Sequence, residues 1–447
     1  MLIRFSVENY RSFNERQTFS MAAGKHTRLK DHLVEINGKR LLKGGVLFGA
    51  NASGKTNLIK AISFAKNIIF NGVKSNATYK RNFRIDKESI NRPGVFQFDF
   101  VSNNHIYSYG FAISYLNNTI VSEWLYLCDY DKEVCIFNRN DGIILKDVKF
   151  SDGENEKRFS IYSDDVADDK TFLSEIVSHK LRDSDDFAPY YHAADWFKSL
   201  IVIFPQTKVN NYNQFLMNDS LESLGKLLNY FDTGIDKVEG NEKTMEEALS
   251  FLPENTRNEI IRDVQNGFEE ERDSKHPSSV EISVAGRRIS FSKNMDGDIT
   301  AAQLMLNHGN ENDLFEIEDE SDGTRRLFDL IPIYKRGMQD RVIIVDELDR
   351  SFHTKLTIEF ISKFYEKTAG CKSQLIVTLH DSNVMNLNIL RQDEIWFVER
   401  RSDHSSELYS LSKFKERFDH AVAKDYLLGR YGAVPNFGID GWYEEEE

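Results

Sequence analysis

Cysteine, basic excess and long apolar runs are all scarce in this sequence, and each scarcity removes a class of protein. The three cysteines, Cys128, Cys135 and Cys371, are odd in number and scattered, with no C-x-x-C pair and no accompanying histidine cluster. Neither a disulfide framework nor a zinc site is expected, and a reducing cytoplasm suits the chain. Lysine and arginine number 57 against 71 aspartates and glutamates, a formal net charge of −14. That balance argues against a protein that coats nucleic acid by bulk electrostatics, so any such contact must be local or borrowed from a partner. The longest strongly apolar runs, such as Leu200-Ile-Val-Ile-Phe204, fall far short of the roughly 20 residues of a membrane span. The start, Met1-Leu-Ile-Arg-Phe-Ser-Val-Glu8, alternates apolar and polar residues where a signal peptide would be continuously apolar. Neither membrane crossing nor export is expected. A sustained a/d heptad is also missing, which excludes a long coiled-coil arm.

What is there is a 447-residue chain, 40% hydrophobic and 29% charged, long enough for two or three domains with real cores. It is organised around Val46-Leu-Phe-Gly49-Ala-Asn51-Ala-Ser53-Gly54-Lys55-Thr56. An apolar strand runs into G-x-x-x-x-G-K-T and then into a helix whose Leu58, Ile62, Ala65 and Ile69 share one face. Gly49 and Gly54 let the backbone turn tightly around a polyphosphate, so that N–H groups and the helix's positive end face the anion. Lys55 is expected to reach the β- and γ-phosphates of ATP and Thr56 to offer its hydroxyl to Mg²⁺. Asn51, Ser53 and Asn57 complete the expected nucleotide-binding set.

Around that loop the fold class reads as α/β, divided into residues 1–164, 165–268, 269–314 and 315–447. In the first part, Ile3, Phe5 and Val7 alternate with Arg4, Ser6 and Glu8, the pattern of a half-buried strand, and Asn37-Gly38 closes a tight hairpin. From Val95 to Ile161 the pattern stays β-like, with Phe96, Phe98 and Phe100 on one face, so several antiparallel strands are expected. The second part reads as an inserted helical lobe, clearest at Leu221, Leu224, Leu227, Leu228 and Phe231, with Gly234 as a stop. The third begins in a charged, apolar-poor linker at 267–279 and resumes strand signals at Val280. The last alternates strand (341–345), helix (Leu356, Phe360, Phe364), strand (374–379) and strand (394–398). The Glu444–Glu447 tail reads as a solvated end.

Val342-Ile-Ile-Val-Asp346-Glu347 is an apolar strand ending in two carboxylates. Asp346 is expected to hold the Mg²⁺ shell, and Glu347 to orient and deprotonate the attacking water. Glu320-Ser321-Asp322-Gly323-Thr324 precedes a helix and resembles the signature motif of ABC-type ATPases, with Asp322 in place of its first glycine. There Ser321, Gly323 and Thr324 would cap the γ-phosphate of the nucleotide held by another subunit; a plain N-capping turn is the competing reading. His380 follows the strand 374–379, at the edge where α/β sheets bind ligands. It is read as a switch histidine against the alternative of an incidental surface one.

Phe5…Asn9-Tyr-Arg-Ser-Phe13, Gly49–Thr56, Glu320–Thr324, Asp346-Glu-Leu-Asp-Arg350, Thr378-Leu-His-Asp381 and Tyr426-Leu-Leu-Gly-Arg-Tyr-Gly-Ala-Val-Pro435 together resemble the RloA-type branch of the OLD/RecF/SMC-like ABC ATPases. Such proteins occur in bacterial anti-phage defence modules, including the ATPase of the PARIS system. The resemblance implies an ABC-type P-loop ATPase head, split in sequence by the β-rich region and the helical insertion, in which residues about 1–95 and 315–430 come together. It implies Arg11 and Ser12 near the adenine, Asp349-Arg350-Ser351 as a D-loop, and a homodimer or higher oligomer with composite ATP sites. It also implies a separate nuclease or toxin effector, Toprim-like, because the chain after His380 is too short for a Toprim domain, and a phage-derived trigger. A RecF/SMC-like repair ATPase and an ATP-binding scaffold with little turnover are the rival readings. Gln97 is a weak candidate for a Q-loop, an ordinary strand residue being the alternative. Tyr79-Lys-Arg-Asn-Phe-Arg84 interleaves aromatic and basic residues as a single-strand grip would, or is a plain surface loop.

Overall fold

Val342–Val345, Gln374–Thr378 and Gly44–Phe48 are buried at every position, and Ile395–Arg400 at its first four, as strands covered on both faces must be. In the computed structural model of the chain they are the centre of a six-stranded sheet. Its order is Ile201–Ile203, Val342–Val345, Gln374–Thr378, Gly44–Phe48, Ile395–Arg400 and Ser406–Ser410, parallel except for the last. The structure describes residues 1–74, 78–129, 132–207, 221–270, 279–285, 287–293, 297–310, 312, 314–334, 339–414, 416–417 and 421–435.

The chain divides into two units: Met1–Pro205 with Met338–Asp349 and His353–Glu447, and Gln206–Gly337 with Arg350–Phe352. The first unit holds the parallel sheet and a seven-stranded antiparallel one, ordered Ile143–Leu145, Val134–Asn140, Thr119–Leu127, His105–Ser114, Gly94–Ser102, Leu2–Glu8, Gln17–Ser20. Phe96, Phe98 and Phe100 are each 0% exposed, so a one-residue slip of their strand would expose all three and the register is fixed. Phe5 packs against Phe98 from the neighbouring strand, the rings tilted by 40° with their centroids 4.6 Å apart. The helix Lys55–Asn71 puts Leu58, Ile62, Ala65 and Ile69 into the core that both sheets share, with Phe96, Phe98, Ile344 and Ile376. Asn37-Gly38 closes the hairpin of Leu33–Ile36 with Lys39–Leu42, as expected.

The second unit has a core of its own. Lys237–Lys243, Ile299–Asn307, Arg287–Lys293 and Ser279–Val284 form an antiparallel sheet, with Phe315–Glu316 paired on Ile299–Asn307. Met245, Leu249, Val264 and Phe268, from the helical segments beside it, pack on Phe291 and Ile289.

Three expectations are corrected. The strand pattern ends at Leu145, and Gly153–Asp165 is a helix, because Asp152 caps it by accepting from the Glu154 N–H. The insertion at 165–268 is neither uniform nor all helical: Phe172–Ser178 and Ala188–Ser199 pack into the first unit's core, Ile201–Ile203 is a strand of the parallel sheet, and Lys237–Lys243 is a strand of the second unit. Residues 315–337 belong to the second unit, so the C-terminal part of the first resumes only at 338. Most of the expected linker, residues 271–278, and the Glu444–Glu447 tail lie outside the described residues. Among the described residues no helix is long and apolar enough to cross a membrane.

Candidate nucleotide site

The loop between Gly44–Phe48 and its helix is shaped by close approach on every side. Gly54 has φ +115°, and a Cβ there would meet the Ser406 hydroxyl and stand 2.9 Å from Ser12 Oγ, so both conformation and space require glycine. Ser406 Oγ donates to Ser53 O at 2.5 Å and lies within hydrogen-bond distance of Ser12 Oγ at 2.8 Å, while Asn57 Nδ2 donates to Ser12 Oγ at 2.9 Å. Ser12 thus braces the loop from below, and Arg11 is held through its N–H to Arg81 O at 2.6 Å and its guanidinium to the Tyr10 hydroxyl.

Lys55 is buried and donates to Gly49 O (2.6 Å) and Ala50 O (3.2 Å). Burial draws its pKa below the ordinary lysine value, and the charges of Asp346, Asp349 and Glu347 partly restore it. Three carboxylates on the sheet's exit therefore oppose the effect of burial on the ammonium where an anion would sit. A cleft of about 640 Å³ opens there, lined by residues 50–57 with Lys60, Glu347 and His380. Asn51, Ser53, Gly54, Lys55, Thr56 and Asn57 thus share one cavity with both expected catalytic side chains.

Across the sheet, Asp346 is 1% exposed. Its Oδ1 accepts from Thr378 Oγ1 at 2.7 Å and from Thr56 Oγ1 at 3.2 Å. Among the described residues its Oδ2 is buried with no hydrogen-bond partner, as is Ser53 Oγ. A buried carboxylate oxygen without a partner costs about 1–3 kcal/mol or more, so an oxygen-seeking cation such as Mg²⁺ fits between Asp346 and Thr56. Glu347 adopts φ +50°, a strained conformation for a residue with a side chain. It is held there by its N–H to Thr378 Oγ1 at 2.7 Å and by Leu348 N–H to Thr378 O at 3.1 Å. His380 Nε2 lies 3.8 Å from Glu347 Oε1, both side chains partly exposed to the cleft.

In the second unit, Ser321 caps the helix Asp322–Leu330 by accepting from the Thr324 N–H at 3.2 Å. Gly323 is required by space: a Cβ would stand 2.7 Å from Ser351 O. Asp322 pairs with Arg325 and Glu320 with His308, so the substituted glycine position is occupied by a residue with its own partner. The turn is a helix cap with exposed Ser321 and Asp322.

Gln97 is an ordinary strand residue, donating to Asp99 and Ser108 within the antiparallel sheet. Tyr79 is 77% exposed, with the Lys80 ammonium 4.7 Å from its ring. Thr378 and Ser406 are the site residues that sequence reasoning passed over or left without a stated role, while Asp349 was expected only as part of a D-loop. Thr378 alone carried a signal, as the polar end of a buried strand beside Asp346.

A phosphate loop, an acidic strand exit beside it and a shared cleft on the carboxyl edge of a parallel sheet define a P-loop protein of the α/β class. A family profile described as "AAA domain, putative AbiEii toxin, Type IV TA system" matches residues 46–386, well over half the chain, and the chain belongs to that family. No curated protein matches it. Among solved structures it is similar to an SMC head bound to the C-winged helix domain of ScpA, at 14% identity over 92% of this chain and 97% of that one, with a TM-score of 0.43. It is also similar to the SMC head domain from Thermotoga maritima, at 11% identity over 92% and 98% of the two chains, with a TM-score of 0.37.

Proposed function

We propose that the protein is an ABC-type ATPase that binds and hydrolyses ATP, two copies sharing composite sites, and that its nucleotide state governs a separate effector. The observation that carries the nucleotide reading is a pair of buried atoms without a hydrogen-bond partner among the described residues, Ser53 Oγ in the loop and Asp346 Oδ2 beside it. Thr56 and Asp346 would hold Mg²⁺, which when bound offsets charge on the phosphates. Lys55 neutralises the polyphosphate on the other side. Glu347, aimed into the cleft by its strained backbone, orients the attacking water and accepts its proton. His380, beside it, senses the γ-phosphate. Ser321, Gly323 and Thr324, at a helix N-terminus, serve the nucleotide of the second copy. The defence role, in which a nuclease or toxin partner answers to a phage-derived trigger, belongs to the same proposal; the family description names a toxin and a type IV toxin–antitoxin system.

The test is Glu347→Gln. Turnover should fall by about 100-fold or more, the lower end of what a general base contributes. ATP binding, read with a fluorescent analogue, should persist, and the mass in ATP should rise to that of a dimer. Unchanged turnover removes Glu347 from the role.

A further inference from the structure

We propose that Asp349 is the positioning residue of the switch histidine, a role that rests on the hydrolysis reading above. The strand Val342–Val345 leaves the sheet through Asp346 and the left-handed Glu347, and the next side chain, Leu348, is 0% exposed. That buried anchor turns Asp349 back under the exit of the neighbouring strand, Gln374–Thr378. There a single oxygen, Asp349 Oδ2, accepts both the His380 N–H and the Asp381 N–H, each at 2.7 Å. Two successive amides converging on one carboxylate oxygen fix the chain's direction at that point, and each bond is charge-assisted. The imidazole, 45% exposed, is then the part of His380 left free to respond.

The rest of the loop is anchored separately. The Asp381 side chain accepts from Thr354 and from the Asn383 N–H, so among the described contacts Asp349 is what holds the backbone of His380 itself. Anchoring two amides needs only one oxygen. The other, Asp349 Oδ1, is buried without a hydrogen-bond partner, a cost that an asparagine in the same place would reduce. Asp349 also ends its segment of the first unit, and the next residues, Arg350–Phe352, belong to the second. There Ser351 O fills the space beside Gly323. One peptide bond therefore separates the anchor of His380 from the segment on which the Ser321–Thr324 turn rests.

A double-mutant cycle in the full chain tests this, with steady-state ATPase kinetics as the readout. Asp349→Ala should lower kcat by about 10- to 100-fold, the range spanned by losing a charge-assisted hydrogen bond, with KM changed by less than about threefold. In a His380→Ala background the same substitution should add less than about twofold, because Asp349 acts through His380. Should Asp349→Ala melt at markedly lower temperature, Asp349→Asn, which retains an acceptor for the two amides, enters the cycle instead with a smaller loss and the same non-additivity. Multiplicative losses at 349 and 380, or an unchanged kcat, overturn the inference. A wild-type protein that turns over no ATP overturns the hydrolysis reading and this inference together. Turnover that Glu347→Gln stops, combined with multiplicative losses, overturns this inference alone.

Discussion

The two glycine turns of this protein are built in opposite ways. The loop at Gly49–Thr56 has polar groups left over: Ser53 Oγ and, across the sheet, Asp346 Oδ2 are buried without partners, and Lys55 turns back on the loop's own carbonyls. The turn at Ser321–Thr324 is self-contained, with Ser321 bonded to Thr324, Asp322 to Arg325 and Glu320 to His308. A site whose atoms lack partners among the described residues is made to receive something. A turn whose atoms are satisfied can only act by being presented to something else.

That contrast can be broken most forcefully at Lys55. Lys55→Ala should weaken ATP binding by about 100-fold, as loss of hydrogen bonds to charged phosphate oxygens predicts, and abolish turnover; equilibrium binding of a fluorescent analogue reads it. Near-normal affinity would mean that the loop does not receive a polyphosphate. Next in size is Gly54→Ala, which meets a positive φ and two serine hydroxyls at once. It should cost about 1–3 kcal/mol of stability and remove nucleotide binding, both visible as a lower melting temperature that ATP no longer raises. The smallest effect sharpens the other side of the comparison. Ser321→Ala removes a helix cap worth about 1 kcal/mol and should leave ATP affinity of the protomer intact while lowering turnover of the ATP-bound dimer. Turnover matching wild type would reduce the turn to a cap and remove the composite site.

Much of the first unit was legible because its chemistry is local in sequence. Gly49–Thr56 and Asp346-Glu347 each put strand, turn and functional group within about a dozen residues, and Phe96, Phe98 and Phe100 declared their strand by alternation. His380, singled out for its place at a strand end, lines the cleft beside Glu347. What escaped had no local period to betray it. Ile201–Ile203 is three residues long, and so short an apolar run reads alike in a helix and in a buried strand. Gly153–Asp165 is a mostly polar helix whose buried face amounts to Asn155 and Phe159, too little to mark a 3.6-residue period after a run of true strands. Ser406 could not be suspected, since its role exists only where an edge hairpin meets Ser12 and Ser53 from the far end of the chain.

The order of the parallel sheet has a consequence for synthesis. The strand Gly44–Phe48 is flanked by Gln374–Thr378 and Ile395–Arg400, and the Gln374 side chain also ties Leu2 and Leu42 together, the latter across 332 positions. The phosphate loop is synthesised before either of these neighbours, and its strand has no partner in that sheet until Gln374–Thr378 has followed. Pairings at such separation form late. A translation product interrupted before Gln374 would therefore carry the loop without the strands that flank it, and ATP could engage only a chain made past Arg400.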